Sequence, residues 1–249
     1  MNKGQNRFWK GAGNVSAEML GLLTVFSGVM AGVIFTLRPG MRKYKKKDLQ
    51  IFEAVKAQTT PAHTRLMSFI TFFGTHRFFI PANLSLIFYF LYVRKQSWLS
   101  IRVASIAITS LLLMFLLKGL FKRKRPVSPL LHPARGLSFP SGHAIMGVTF
   151  YGLLIYIISA TIKEGKVKVP LIIFLLVFIQ LIGFSRVYLR LHYASDVVIG
   201  YLIGTMWLLT SLEALKRLES YNKNRYTIYR RYSEDIPKIL RRYTEDIPK

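Results

Sequence analysis

The chain is dominated by apolar runs, nearly free of charge, that are long enough to cross a bilayer. A helix spanning hydrocarbon about 30 Å thick needs about 20 apolar residues, within a range of roughly 17–25. Met19–Leu37 is one such run, stopped by Arg38-Pro39-Gly40. Phe78–Val93 is shorter and holds Pro81, but can extend back toward Gly74. Trp98–Leu117, Ala144–Ile162, Val169–Phe184 and Ala194–Leu215 complete a set of about six. The first run is longer than a signal core, and no small-x-small cleavage site precedes Arg38, so it reads as a span and not a cleaved leader. The expected fold class is all-α: a polytopic bundle of about six transmembrane helices with an interfacial amphipathic helix.

That helix falls in Lys43–Gln58, where Leu49, Phe52 and Val55 recur at helical spacing while Asp48, Glu53 and Lys56 point elsewhere. The expected organisation is an amino-terminal segment at 1–18, a six-span domain at 19–217 and a basic tail at 218–249. The tail carries a near-repeat, Arg230–Lys238 and Arg241–Lys249. Two copies are too few for a solenoid, so the tail reads as a flexible segment touching anionic headgroups.

Charge narrows the function. The 249 residues include 36 Lys or Arg against 11 Asp or Glu, a formal net charge of +25. Such an excess points to polyanionic partners. In a polytopic protein these are an anionic bilayer and a phosphorylated lipid, not nucleic acid. The absence of cysteine excludes a thiol nucleophile and thiolate metal sites. Scarce carboxylates weigh against a Mg²⁺ or Ca²⁺ cage, so no metal or cofactor is expected. Oligomeric state is left open.

Three polar segments stand at span ends, where charged side chains are costly unless used. After the third span, Lys118 and Arg125 are two helical turns apart, which would put both on one face of a helix ended by Pro126. Before the fourth, Pro140 and Gly142 force a turn and Ser141 stands at the N-cap position, leaving amides at Gly142 and His143 for an anion. Between the fifth and sixth, Asp196 follows His192 by four residues, helical neighbours in which a carboxylate would fix the imidazole tautomer. Arg186 adds a cation nearby. Because helices alternate direction, all three segments emerge on one membrane face. His63 and His132 read as exposed loop residues, and Lys122, Arg123 and Lys124 as headgroup contacts. His76 and Arg77 share the site face and are candidates to line a headgroup pocket.

Lys118, Arg125 and Pro126, then Pro140–His143, then Ser185, Arg186, His192 and Asp196 resemble the three-part signature of the type 2 phosphatidic acid phosphatase superfamily, which also includes the vanadium haloperoxidases. Every specified position matches at the family's spacing. The motifs cover 118–196, the span layout extends the likeness to about 19–215, and the tail lies outside it. The resemblance implies phosphoryl transfer, with His192 as nucleophile, Asp196 orienting it and His143 as acid and then base. It also implies that Lys118, Arg125, Ser141, Gly142 and Arg186 bind the phosphate. The implied substrate is a membrane lipid phosphate: phosphatidate, phosphatidylglycerol phosphate, an isoprenyl diphosphate such as undecaprenyl diphosphate, or a lipid A phosphate. A transporter or flippase of phosphorylated lipids would use the same basic face, but leaves a His–Asp pair beside a second histidine unexplained. The large cationic first loop favours a cytoplasmic site under the positive-inside rule. Resemblance to bacterial members favours an inner-membrane protein with an outward site and cytoplasmic termini, and this reading follows the resemblance.

Overall fold

The computed structural model describes residues 20–21, 24, 26–28, 31–32, 35, 44, 46–126, 129–131 and 136–245. These residues are helical or in connections, and no strand occurs among them. The amino-terminal segment 1–18, most of Met19–Leu37, His132 and residues 246–249 lie outside them. The described residues of Met19–Leu37 are helical.

Residues 46–57 form α1. Then follow α2 (Pro61–Phe72), α3 (His76–Phe88) with a π-helical turn at Tyr89–Val93, α4 (Ser97–Phe121), α5 (Gly142–Thr161), α6 (Gly165–Tyr188) and α7 (Ala194–Glu245). Four helices among the described residues are long and apolar enough to cross a membrane: Ser97–Phe121, Gly142–Thr161, Gly165–Tyr188 and Ala194–Asn224. They match the last four runs of the sequence. The second run becomes α3 and its π turn, with Pro81 inside α3.

The chain divides into two compact units. Residues 28–211 contain α1 to α6 and the first part of α7. Within them α5 packs on α4 and α6, α2 on α6, and α3 on α4. The core gathers Ile70, Phe79, Phe150, Tyr151, Ile179 and Ile182. Its aromatic rings meet edge to face, Phe73 with Phe78 at 5.1 Å and Tyr151 with Phe178 at 5.3 Å, the geometry favoured by ring quadrupoles. The Tyr151 hydroxyl donates to the Phe73 carbonyl at 2.9 Å, satisfying both groups. Outward-facing Leu112, Phe115 and Leu116 of α4 and Phe174 and Val177 of α6 are exposed, as lipid-facing positions in a bundle are. In the other unit α7 continues to Glu245, with ion pairs Glu213–Arg217 and Glu219–Lys223 each at 2.7 Å. The near-repeat is helical as far as Glu245.

One glycine sets the position of the site. A Cβ at Gly200 would lie 2.8 Å from the Ala144 Cβ and 3.1 Å from the Ser141 carbonyl oxygen, so only glycine lets α7 approach the start of α5 this closely. The Ser141 N–H then donates to the Asp196 carbonyl at 3.0 Å.

The amphipathic pattern of α1 is only partly as expected. Val55 packs on Val187, Tyr188 and their neighbours, and Arg190 lies over the Phe52 ring at 5.6 Å. Leu49 remains exposed, whereas Asp48 is 3% exposed and turned inward. The expectation that Asp48 points away is corrected by two groups that bond its carboxylate, Arg123 and Ser195.

Candidate active site

Lys118 occupies the last turn of α4, half-buried, and its Nζ donates to the Leu137 carbonyl at 2.7 Å. Arg125 does not share its helical face. Lys122 adopts the left-handed conformation (φ 48°), its N–H closing on the Lys118 carbonyl at 3.0 Å, and this ends α4 at Phe121. Pro126 then disfavours helix at Arg125. Arg125 instead arrives from a non-helical segment: its Nη1 donates to the Leu191 carbonyl at 2.7 Å and lies 3.2 Å from His192 Nε2, and its Nε donates to the Gly136 carbonyl at 3.3 Å. Burial lowers the Arg125 pKa, opposed by the charge of Asp196.

Arg186, buried in the last turn of α6, donates through Nη1 to Thr71 Oγ1 at 2.7 Å, tying α6 to α2. Its Nε is buried without a hydrogen-bond partner. Ser141 is the N-cap of α5, as expected, but its side chain makes no capping bond: the Oγ is buried and unpaired. Gly142 opens the helix, where a Cβ would meet Met114 Sδ at 2.6 Å. His143 follows. Its Cδ2 sits 2.6 Å from where a Gly74 Cβ would stand, and its Nε2 is buried without a partner. Arg186, His192, Arg125 and Lys118 all act electrostatically on the His143 ring. His76 and Arg77 are exposed at the start of α3, close in sequence to Gly74, and His63 is exposed in α2.

The spacing of His192 and Asp196 is not helical. His192 lies in the connection before α7, which begins at Ala194, so Asp196 alone sits in the first turn, where the helix dipole favours a carboxylate. The pair still meets, because the chain turns back: the Tyr193 N–H donates to Asp196 Oδ2 at 3.0 Å, and His192 Nδ1 stands 3.6 Å from the same oxygen. Ser138 bridges the gap, its Oγ donating to Asp196 Oδ2 and lying 3.4 Å from His192 Nδ1. Burial lowers the His192 pKa to about 3, the Asp196 contact opposing and Arg186 and Arg125 reinforcing. At neutral pH the ring is uncharged. A proton on Nδ1 would face Ser138 Oγ and Asp196 Oδ2 and leave the Nε2 lone pair beside the Arg125 guanidinium.

Four polar partners were not singled out from the sequence. Arg123, read as a headgroup contact, is instead 13% exposed and paired with two carboxylates: Nη1 meets Asp196 Oδ1 at 2.6 Å and Nη2 meets Asp48 Oδ2 at 2.7 Å. Its guanidinium lies 4.1 Å over the Tyr193 ring. Ser195 donates through N–H and Oγ to Asp48 at 3.0 and 2.6 Å. Ser138 and Thr71 complete the set. Of these Arg123, Ser138 and Ser195 lie within or beside the three polar segments, and only Thr71 had no nearby signal.

The eight positions expected from sequence are thus brought into one electrostatic and hydrogen-bonded neighbourhood. Three buried polar atoms there, Ser141 Oγ, His143 Nε2 and Arg186 Nε, lack protein partners, a costly state that a polar guest relieves. Three cations, a hydroxyl and helix-start amides suit a guest that is an anion with several oxygens. Among the described residues no group of three or more His, Cys, Asp or Glu side chains is placed to hold a metal ion.

A family model described as the PAP2 superfamily matches residues 98–219, a stretch holding all three segments. Phosphatidylglycerophosphatase B of Bacillus subtilis (strain 168) is 28% identical over 186 residues, 74% of this chain and 88% of that protein. The crystal structure of a transmembrane PAP2-type phosphatidylglycerolphosphate phosphatase from Bacillus subtilis superposes with a TM-score of 0.64 at 26% identity, covering 78% of this chain and 94% of that one. Aquifex aeolicus LpxE superposes with a TM-score of 0.52 at 25% identity, covering 68% and 94%.

Proposed function

The chain belongs to the PAP2 superfamily, and from that premise we propose that it removes phosphate from a membrane lipid through a covalent phosphohistidine at His192. It is a multi-pass membrane hydrolase of the lipid phosphatase class. The observation that carries the finer reading is the state of His192. Its Nδ1 faces the Ser138–Asp196 pair, its Nε2 stands 3.2 Å from Arg125, and burial holds its pKa low.

In the first step His192 Nε2 attacks phosphorus, the bond to the lipid oxygen breaks, and that oxygen takes a proton from His143. In the second, His143 takes a proton from water as the water oxygen attacks phosphorus and the P–N bond breaks. Lys118, Arg125, Arg186, Ser141 and the Gly142 amide hold the nonbridging oxygens, over which transition-state charge spreads. These cations supply the positive charge, so turnover is metal-independent. Phosphatidylglycerol phosphate is the leading substrate, supported by the likeness to a phosphatidylglycerophosphatase over most of that protein's length. The site faces outward from a bacterial inner membrane, with both termini cytoplasmic.

Phosphate release by purified protein from phosphatidylglycerol phosphate, phosphatidate, undecaprenyl diphosphate and lipid A phosphate, with EDTA present, tests this. Activity that survives EDTA, is blocked by vanadate and is highest on phosphatidylglycerol phosphate is expected. Loss in chelator, restored by Mg²⁺ or Zn²⁺, would overturn the metal-free mechanism.

A further inference from the structure

We propose that Asp48, on α1, is a positioning residue of the active site that acts through Arg123 on Asp196. The inference rests on the reading of His192 as nucleophile and deepens it.

Asp48 and Asp196 are 3% and 0% exposed, and the Arg123 side chain between them is 13% exposed. The guanidinium fork is divided: Nη2 to Asp48 Oδ2 at 2.7 Å, and Nη1 to Asp196 Oδ1 at 2.6 Å and to Ser195 Oγ at 2.8 Å. Ser195 clamps Asp48 from the other side through its N–H at 3.0 Å and its hydroxyl at 2.6 Å. Arg123, the donor to Asp196 Oδ1, is therefore shared with Asp48.

Charge balance gives the arrangement its effect. Arg123 paired with Asp196 alone would be a neutral unit, leaving little negative charge for the His192 Nδ1 side. With Asp48 present, one cation serves two carboxylates and the trio carries a net charge of about −1. That charge faces His192 through Asp196 Oδ2, where it stabilises the positive charge that grows on the ring as Nε2 bonds to phosphorus. The divided fork also fixes the spacing of the two carboxylates, which a lysine in place of Arg123 would not do. Asp48 touches neither substrate nor His192, so its contribution is transmitted. By this geometry α1 belongs to the active site and not merely to the membrane surface.

The test uses the full chain in detergent, with Asp48→Asn, Arg123→Lys, Asp196→Asn and the Asp48→Asn/Asp196→Asn pair. Asp48→Asn is expected to lower kcat by about 10- to 100-fold, by analogy with the loss of a hydrogen-bonded partner behind a metal ligand, with KM little changed. In the Asp196→Asn background the same change is expected to cost almost nothing, because its route of action is gone. A role confined to folding would lower the yield or melting temperature and leave kcat per folded molecule unchanged. That result, or full additivity in the pair, would overturn the proposal. If Asp48→Asn does not fold, Arg123→Lys carries the same kcat expectation and the same dependence on Asp196. A readout independent of turnover is the ¹⁵N chemical shift of His192 Nδ1. It should move in Asp48→Asn even if no lipid phosphate proves to be a substrate, and an unmoved resonance would overturn the inference whatever the fate of the phosphatase reading.

Discussion

Gly74→Ala probes the second histidine without touching any motif residue. The backbone of Gly74 lies outside the left-handed region, so alanine brings no conformational penalty there. Its Cβ, however, would stand 2.6 Å from His143 Cδ2 and 2.7 Å from Ile182 Cγ2. Carbon atoms rest at about 3.5–4.0 Å, so about 1 Å must be recovered by movement. Ile182 is 1% exposed and packed in the core, and it gives little. The His143 ring must therefore shift by most of that ångström. Such a misplacement costs on the order of 10²-fold in rate, within the 10²–10⁴-fold that general acid catalysis contributes in total. The loss should fall on substrates that need their leaving oxygen protonated. A lipid monoester should therefore lose on the order of 10²-fold in kcat/KM, while an activated aryl phosphate, which departs nearly unaided, loses much less in phosphoenzyme formation. Gly119→Ala, where an added Cβ meets nothing within 4 Å, is the control and should match the parent. Equal losses on both substrates, or no loss on either, would show that His143 is not the acid.

Two further outcomes follow from His192. His192→Ala should give no acid-labile phosphoenzyme with any substrate in rapid-quench trapping, whereas Asp196→Asn should slow lipid and aryl phosphates alike by disturbing the imidazole tautomer. The neutral His192 also makes the fold acid-sensitive. Its folded pKa, about 3, lies below the ordinary 6.5, so the unfolded chain binds the proton more readily. That contribution to stability is complete above about pH 6.5 and is lost as pH falls toward 3. His192→Asn should therefore melt with a shallower pH dependence than the parent across that window, and parallel curves would contradict it.

Much of this was legible in the sequence. Apolar runs located three of the last four spanning helices to within a few residues at each end, and the start of the fourth, because a backbone crossing hydrocarbon as a single segment must satisfy its hydrogen bonds as a helix. The polar residues at their ends pointed to the eight positions that the fold brings into one neighbourhood, since charge at such places is costly when idle. Local geometry was less legible. Seven-residue spacing implied one helical face for Lys118 and Arg125, but Lys122 takes a left-handed conformation and the chain reaches the site as a loop. Four-residue spacing implied a helical His192–Asp196 pair, yet α7 starts between them and Ser138 fills the interval. Asp48 and Arg123 were missed for a different reason. Each reads from the sequence as a charged residue at a membrane surface, and only a tertiary contact across 75 positions turns them inward. Periodicity carries no information about such a pairing.

The unpartnered Ser141, His143 and Arg186 atoms have a consequence for the protein as a material. Lys118, Arg125 and Arg186 act on one another as like charges, and the nearby Asp196 carboxylate is already paired with Arg123, so the fold holds these cations together at its own expense. An anion bound there lowers the free energy of the native state alone, by about 2.7 kcal/mol at a hundred times its dissociation constant. Inorganic phosphate, the product of the proposed reaction, is such an anion. The same ion that slows turnover would then prolong the life of the folded chain in detergent, so that inhibition and preservation are one equilibrium seen from two sides.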